Sequence, residues 1–212
     1  MLINYVKIAW RNLTKQKVLS FINVFGLSVG IACFSLFMLY AVNEFNFDNF
    51  HKNGKDIYRV YEWNEAIGGN PAGGQPYSPA PLGPALKQDL PGIKNFTRFL
   101  DNWGGQSFIK TAKTVTLEPF SFVDTSFLNM FSFRLKYGNA ATALQDLHSI
   151  VITEKTALKI FGKTDVIGKT VEIKAGDTFE PFIVTAVAED PPSNSSLQFT
   201  ILGNINYFNS TP

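Results

Sequence analysis

Between Lys17 and Glu44 the chain runs VLSFINVFGLSVGIACFSLFMLYAVN without one charged side chain. As a helix rising ~1.5 Å per residue, this run covers the ~30 Å hydrocarbon core of a bilayer with length to spare for tilt. The sequence therefore predicts a transmembrane helix over residues 18–43. A secretory signal has an apolar region of only ~7–15 residues ending in a small-x-small cleavage site, and Leu39-Tyr40-Ala41-Val42-Asn43 does not supply one. A helix buried in a soluble protein is shorter and needs a larger soluble core around it.

The flanks give the direction of insertion. Lys7, Arg11, Lys15 and Lys17 precede the span with no acidic residue, and Glu44, Asp48 and Asp56 follow it. Positive charge is retained in the cytoplasm, so residues 1–17 are expected inside and residues 44–212 outside, in the periplasm of a bacterial inner membrane. Setting those four cations aside leaves 15 basic residues of the 19 against 17 acidic ones. The outer part is near neutral, and the basic pI of the whole chain does not point to a nucleic-acid surface.

Outside the membrane the chain is long enough for one domain or two small ones, and 20 phenylalanines and seven tyrosines provide bulk for a core. The single cysteine, Cys33, lies within the span, so no intramolecular disulfide contributes and packing must hold the outer part together.

Residues 2–16 place Ile3, Val6, Trp10 and Leu13 on one helical stripe and Lys7, Arg11 and Lys15 on another. This pattern suits a basic amphipathic helix at the inner membrane surface, with Trp10 at headgroup level and the cations, Lys17 included, near anionic lipid. Within the span, Gly26 and Gly30 form a G-x-x-x-G pair, and Ser28 and Ala32 form a second small-x-x-x-small pair further round the helix. Such a face lets another helix approach closely, and Asn23 is placed to hydrogen-bond across the contact.

Beyond the membrane, residues 56–63 alternate apolar and polar at a strand's period of two. A Gly- and Pro-rich loop follows, through Gly74. Ser78 offers an N-cap with Pro79 at the first helical position, Leu82, Leu86 and Leu90 recur at helical spacing, and Pro91-Gly92 ends the helix. Strand-like residues return at 93–99, which makes 57–99 a β-α-β unit. From about Val115 the texture changes to short strands and helices, with a turn at Tyr137-Gly138-Asn139. Thr153 caps a helix that Gly162 stops, strands are expected at 170–173, 182–187 and 197–202, and DPPSNSS at 190–196 divides the last two.

No catalytic constellation is legible. GKTDVIGKT at 162–170 approximates a phosphate-binding loop, but five residues separate Gly162 from Gly168 where four are required for consecutive amides to wrap a phosphate. His51 and His148 stand far apart without cysteine or histidine companions at ligand spacing, so no metal and no cofactor is expected. No G-x-S-x-G elbow occurs.

The stretches AWRNLTKQK (9–17), SFINVFGLSVGIA (20–32), EFNFDNFHKNGKDIYRV (44–60), FVDTSFLNMFSF (122–133), the run 143–173 and FIVTAVAEDPPSNSSLQF (182–199) together resemble the N-terminal part of MacB/FtsX-type ABC transporter permeases, especially those common in Bacteroidetes. The resemblance implies an α+β chain: an interfacial helix (1–17), a transmembrane helix (18–43) and a periplasmic core. That core is a ferredoxin-like porter subdomain (44–110) with an inserted α+β subdomain (111–190), followed by a return to the porter (191–212). It further implies a non-catalytic permease subunit that transmits the motion of a separate cytoplasmic ABC ATPase to the periplasm, for export or envelope mechanotransmission. The partners it implies are that ATPase, a second permease copy, the lipid bilayer and a periplasmic adaptor or envelope protein, and no nucleic acid. Family members continue with the rest of the porter and three more membrane helices, so the chain is expected to be a fragment truncated at the C-terminus. Ser196 stands where the family's N-S-H stretch has histidine. Two other classes compete: a single-pass membrane-anchored periplasmic sensory or ligand-binding domain, and an anchored envelope enzyme.

Overall fold

A computed structural model describes residues 2–62, 77–101, 106–111, 114–175 and 178–210. The chain forms two compact units, Met1–Phe47 and Asp48–Pro212. Together they make an α+β molecule, with one long apolar helix ahead of a mixed-sheet domain with helices.

The first unit contains α1 (Leu2–Lys15) and α2 (Lys17–Phe45), separated by Gln16. Helix α2 extends the expected span by a residue or two at each end and is long and apolar enough to cross a membrane. None of its residues is buried in the chain itself.

In the second unit a short 3-10 turn at Gly54–Asp56 leads to α3 (Leu82–Asp89) and β1 (Phe99–Leu100). The β-α-β reading of 57–99 requires correction here. Residues 57–61 are extended without a ladder, and only an isolated bridge marks Glu62; Trp63 and the Gly- and Pro-rich loop lie outside the described residues. An alternating pattern becomes a strand only where another strand offers an edge. Residues 93–98 are likewise not a strand, because side chains bind their backbone: Asp124 Oδ2 accepts the Arg98 N–H at 2.6 Å and Ser126 Oγ donates to Phe96 O at 2.5 Å. Helix α3 starts at Leu82 behind Pro81 with no side-chain cap, so Ser78 does not cap it. Pro81 disfavours helical geometry at Ala80 and delays the start.

The remaining strands are β2 (Gln106–Lys110), β3 (Val115–Val123), β4 (Leu135–Tyr137), β5 (Ser149–Thr153), β6 (Thr170–Ala175), β7 (Thr178–Ala188) and β8 (Ile201–Asn204). The helices among and after them are α4 (Phe127–Met130), α5 (Glu154–Phe161) and α6 (Ile205–Ser210). Their pairings close on themselves: β3 pairs β2, β2 pairs β6, β6 pairs β7, β7 pairs β5, β5 pairs β8, and β8 pairs β3 again. Two contacts, β5–β7 and β3–β8, are parallel and the others in this ring are antiparallel. The sheet runs across the boundaries read at 110 and 190, since β2 and β8 both belong to it.

Alternation along the ring strands sorts their residues into two buried clusters. Ile109, Phe120, Phe122, Ile150, Ile152, Val171, Ile173, Phe182, Val184 and Ile201 enter one, with Ala157 and Ile160 of α5. Val123, Val151, Ala186, Ala188 and Leu202 face the other, where Phe127, Leu128, Phe133 and Leu144 cover them. The parity of β7 reverses at Thr185. Val184 pairs Ile150 and Ala186 pairs Val151, so Thr185 is the extra residue of a bulge. Its hydroxyl bonds the carbonyls of Ala143 and Ile150, which ties the bulge to the loop before β5.

Helix α5 forms as its sequence predicts. Thr153 Oγ1 accepts the Thr156 N–H at 3.3 Å, and Gly162 ends the helix in the left-handed region with its N–H on Leu158 O. The strand expected at 197–202 is displaced to 201–204, because 197–198 bond back into the preceding loop: Leu197 N–H to Ser195 Oγ, and Gln198 Nε2 to Pro192 O and Ser195 O.

Candidate functional site

Helix α2 is followed by Asn46 and Phe47, and the second unit begins at Asp48. Asp48 takes a left-handed backbone, φ 55°, a conformation that aspartate tolerates better than most residues. There it makes two bonds to the loop before β8: its N–H donates to Asn194 O at 2.9 Å, and its Oδ1 accepts the Ser196 N–H at 2.8 Å. The next residues bind a second loop. His51 Nδ1 accepts the Ser132 N–H at 3.1 Å, the Lys52 N–H donates to Ser132 Oγ at 2.9 Å, and Asn53 Nδ2 reaches Met130 O at 3.4 Å.

Rings enclose the histidine. Phe50, Phe131 and Phe133 have centroids 4.0, 5.1 and 5.2 Å from that of His51. Because Nδ1 is the acceptor, neutral His51 carries its proton on Nε2, and that atom is buried without a hydrogen-bond partner, 4.0 Å from Asp48 Oδ1. Burial pushes the imidazole pKa below its ordinary value, and Asp48 offsets this only in part.

A charged clasp lies close by in sequence, where β3 ends. Asp124 receives Arg98 NH2 at 2.6 Å on Oδ1 and Arg98 Nε at 3.0 Å on Oδ2, a bidentate fork. Arg98 NH1 also donates to Ala80 O at 3.2 Å. The clasp joins the segment around α3 to the sheet, and the hydrogen bonds that Arg98 donates to Asp124 raise the pKa of the guanidinium.

The residues singled out in the sequence stand elsewhere. Lys7, Trp10, Arg11 and Lys15 are exposed on α1, and Lys17 opens α2. Asn23, Gly26, Ser28, Gly30 and Ala32 lie exposed on α2; a β-carbon at either glycine would meet nothing within 4 Å, and the Ser28 hydroxyl bonds Val24 O in its own helix. In the approximate phosphate loop the amides are already spent: those of Gly162, Gly168 and Lys169 donate to Leu158, Val184 and Val166 carbonyls. His51 and His148 enter different surroundings, the latter 3.3 Å from Glu180. Asp48, His51, Arg98 and Asp124 escaped motif reading. A signal existed for Asp48, His51 and Asp124, since they fall in stretches 44–60 and 122–133 that carried the family resemblance and that meet each other and 182–199 here; Arg98 lies in none of those stretches.

The family model for the MacB-like periplasmic core domain matches residues 20–210. The chain belongs to that family. Among solved structures, the MacB-like fold is similar to a domain assigned to a permease protein of Porphyromonas gingivalis, at 28% identity and TM-score 0.53, over 62% of this chain and 58% of that one. The chain thus spans less than two thirds of that domain's length. It is also similar to the extracellular domain of the noncanonic ABC-type transporter YknZ from Gram-positive bacteria, at 18% identity and TM-score 0.50, over 72% of this chain and 74% of that one. No curated protein matches at a significant level.

Proposed function

We propose that the chain is the first membrane helix and outer core of an ABC-type permease subunit, with its N-terminus in the cytoplasm, and that it passes the motion of a cytoplasmic ATPase to the periplasm. The observation that carries this reading is the joint at Asp48. Only Asn46 and Phe47 lie between α2 and a residue bonded through backbone and side chain to the 194–196 loop. A connection that short leaves little slack, so displacement of the helix is delivered to the loop that leads into β8 and the sheet. Family membership and the basic flank ahead of α2 support the same reading. We take residues 44–110 with 191–212 as the ferredoxin-like porter and 111–190 as the subdomain inserted in it, with one sheet running through both.

Two measurements test the proposal. Protease added to intact spheroplasts should degrade residues 44–212 and spare the first 17, and protection of the large domain would overturn the topology. In a full-length permease carrying this segment, a flexible Gly-Ser insertion between Phe47 and Asp48 should abolish transport while ATPase co-purification persists. The same insertion after Gly162, in an exposed turn, should be tolerated. Transport undiminished by the first insertion would remove the mechanical role.

A further inference from the structure

One oxygen at the joint stands before two donors. Asp48 Oδ1 accepts the Ser196 N–H at 2.8 Å and lies 4.0 Å from His51 Nε2, which is buried without a hydrogen-bond partner. Across the ring, Nδ1 accepts the Ser132 N–H at 3.1 Å. A neutral imidazole suits this arrangement, because one nitrogen donates and the other accepts; an imidazolium has two donors and no acceptor. Protonation therefore turns Nδ1–H against the Ser132 N–H. It also sets a positive charge beside the Asp48 carboxylate among the rings of Phe50, Phe131 and Phe133, where water screens it little. Among the described residues, Asp48 supplies the charge that acts on the imidazole. Its own segment otherwise carries Lys52, Lys55 and Asp56, all exposed, and neither 126–133 nor 194–196, the segments bonded to His51 and Asp48, has a titratable side chain. Closing the gap to a hydrogen bond takes Oδ1 about 1 Å toward the ring. The Asp48 N–H is held by Asn194 O, so the side chain must turn, at the expense of its bond to Ser196.

We propose that the joint is an acid-sensitive clutch: protonated His51 takes Asp48 Oδ1 from the Ser196 N–H and releases the Ser132 N–H, so both loops loosen from the segment after α2 and transmission weakens. The clutch rests on the mechanical reading proposed above and adds regulation to it. Because burial disfavours the charged ring, the exchange belongs to the acid side of neutrality.

The test follows hydrogen exchange of single amides by NMR in the full chain, held in detergent micelles. After correction for the intrinsic exchange rate, protection of the Ser132 and Ser196 N–H groups should fall together between about pH 7 and pH 5, by about tenfold per pH unit, since each unit shifts the protonation equilibrium tenfold. The Val184 N–H, bonded to Lys169 O in the same domain, reports opening of the whole domain and should exchange far more slowly than either. His51→Asn keeps an acceptor for Ser132 and does not titrate, so both amides should stay protected at the acid end, whereas Asp48→Asn should free Ser132 alone. In a full-length permease carrying this segment, transport should fall over the same interval and hold with His51→Asn. Loss at Ser132 without Ser196 in the parent, exchange of both at the rate of Val184, or an equal fall of transport in His51→Asn overturns the clutch. Protection kept at both amides throughout also overturns it and leaves the mechanical reading standing. Transport undiminished by the Gly-Ser insertion after Phe47 removes that reading and the clutch with it.

Discussion

At Asp48 a single side chain supplies both the acceptor for the Ser196 N–H and the tolerance for a left-handed backbone. Asp48→Ala loses the acceptor and keeps the strain, so it should lower the stability of the outer domain by about 1–3 kcal/mol, read as a shift of the urea midpoint. Asp48→Asn keeps an acceptor and the same backbone tolerance, and should cost less; equal losses in the two variants would mean that the hydrogen bond is not what fixes the joint. His51 adds a pH dependence whose sign follows from burial. Its folded pKa lies below the unfolded value of 6.5, so as pH falls through that value the unfolded chain takes up a proton that the folded one refuses. Stability is full above this point, declines as pH falls, and stops declining only when folded His51 protonates. Protonation also turns Nδ1 into a donor facing the Ser132 N–H. Unfolding curves between about pH 7 and pH 5 should show this decline, and His51→Phe should flatten it while costing roughly 1–3 kcal/mol at neutral pH, because the Ser132 N–H loses its acceptor. A decline of the same size in His51→Phe would assign it to another group.

Elements whose bonds are local were legible: α5 between Thr153 and Gly162, the turn at Gly138, and the span of α2. Elements that depend on a distant partner were not. Residues 57–61 have a strand's alternation and no ladder partner among the described residues, and 93–98 lose theirs to Asp124 and Ser126. The joint itself connects residues 148 apart in the case of Asp48 and Ser196, and 81 apart in that of His51 and Ser132; no pattern of spacing encodes such pairs. The bulge at Thr185 was hidden for a different reason, since Phe182, Ile183 and Val184 before it and Ala186, Val187 and Ala188 after it are all apolar, although Ile183 is exposed, and so unbroken a pattern masks the change of parity. Gly138 shows how tightly that region is built. Its φ is 94°, and a β-carbon there would lie 2.6 Å from Ala186 Cβ and 2.7 Å from Thr185 O. Gly138→Ala should therefore cost about 2–5 kcal/mol, combining left-handed strain with overpacking. Gly168→Ala, with φ 77° and open space around it, should carry the strain alone, about 1–2 kcal/mol. Indistinguishable urea midpoints for the two variants would contradict the close approach of the turn to β7.

At the scale of the whole molecule, the glycine face of α2 lies exposed, with no partner among the described residues of its own unit. Gly26 and Gly30 lie one above the other with nothing within 4 Å of an added β-carbon, while the sheet domain buries its own core in two clusters. In lipid the hydrophobic effect gives helices no reason to associate, and close backbone approach with its dispersion contacts takes over. Leucine at Gly30 would hold a facing helix off by more than the ~1 Å over which those contacts decay. Insertion should not suffer, because leucine partitions into lipid at least as well as glycine. In a full-length permease carrying this helix, Gly30→Leu should therefore insert normally yet lose ATPase co-purification and transport, whereas Met38→Leu, a substitution between two apolar side chains off both small-residue stripes of the helix, should retain all three. If Gly30→Leu inserts, assembles and transports as well as Met38→Leu, then α2 has no tight partner on this face, and an anchored sensory or ligand-binding domain becomes the better account of the chain.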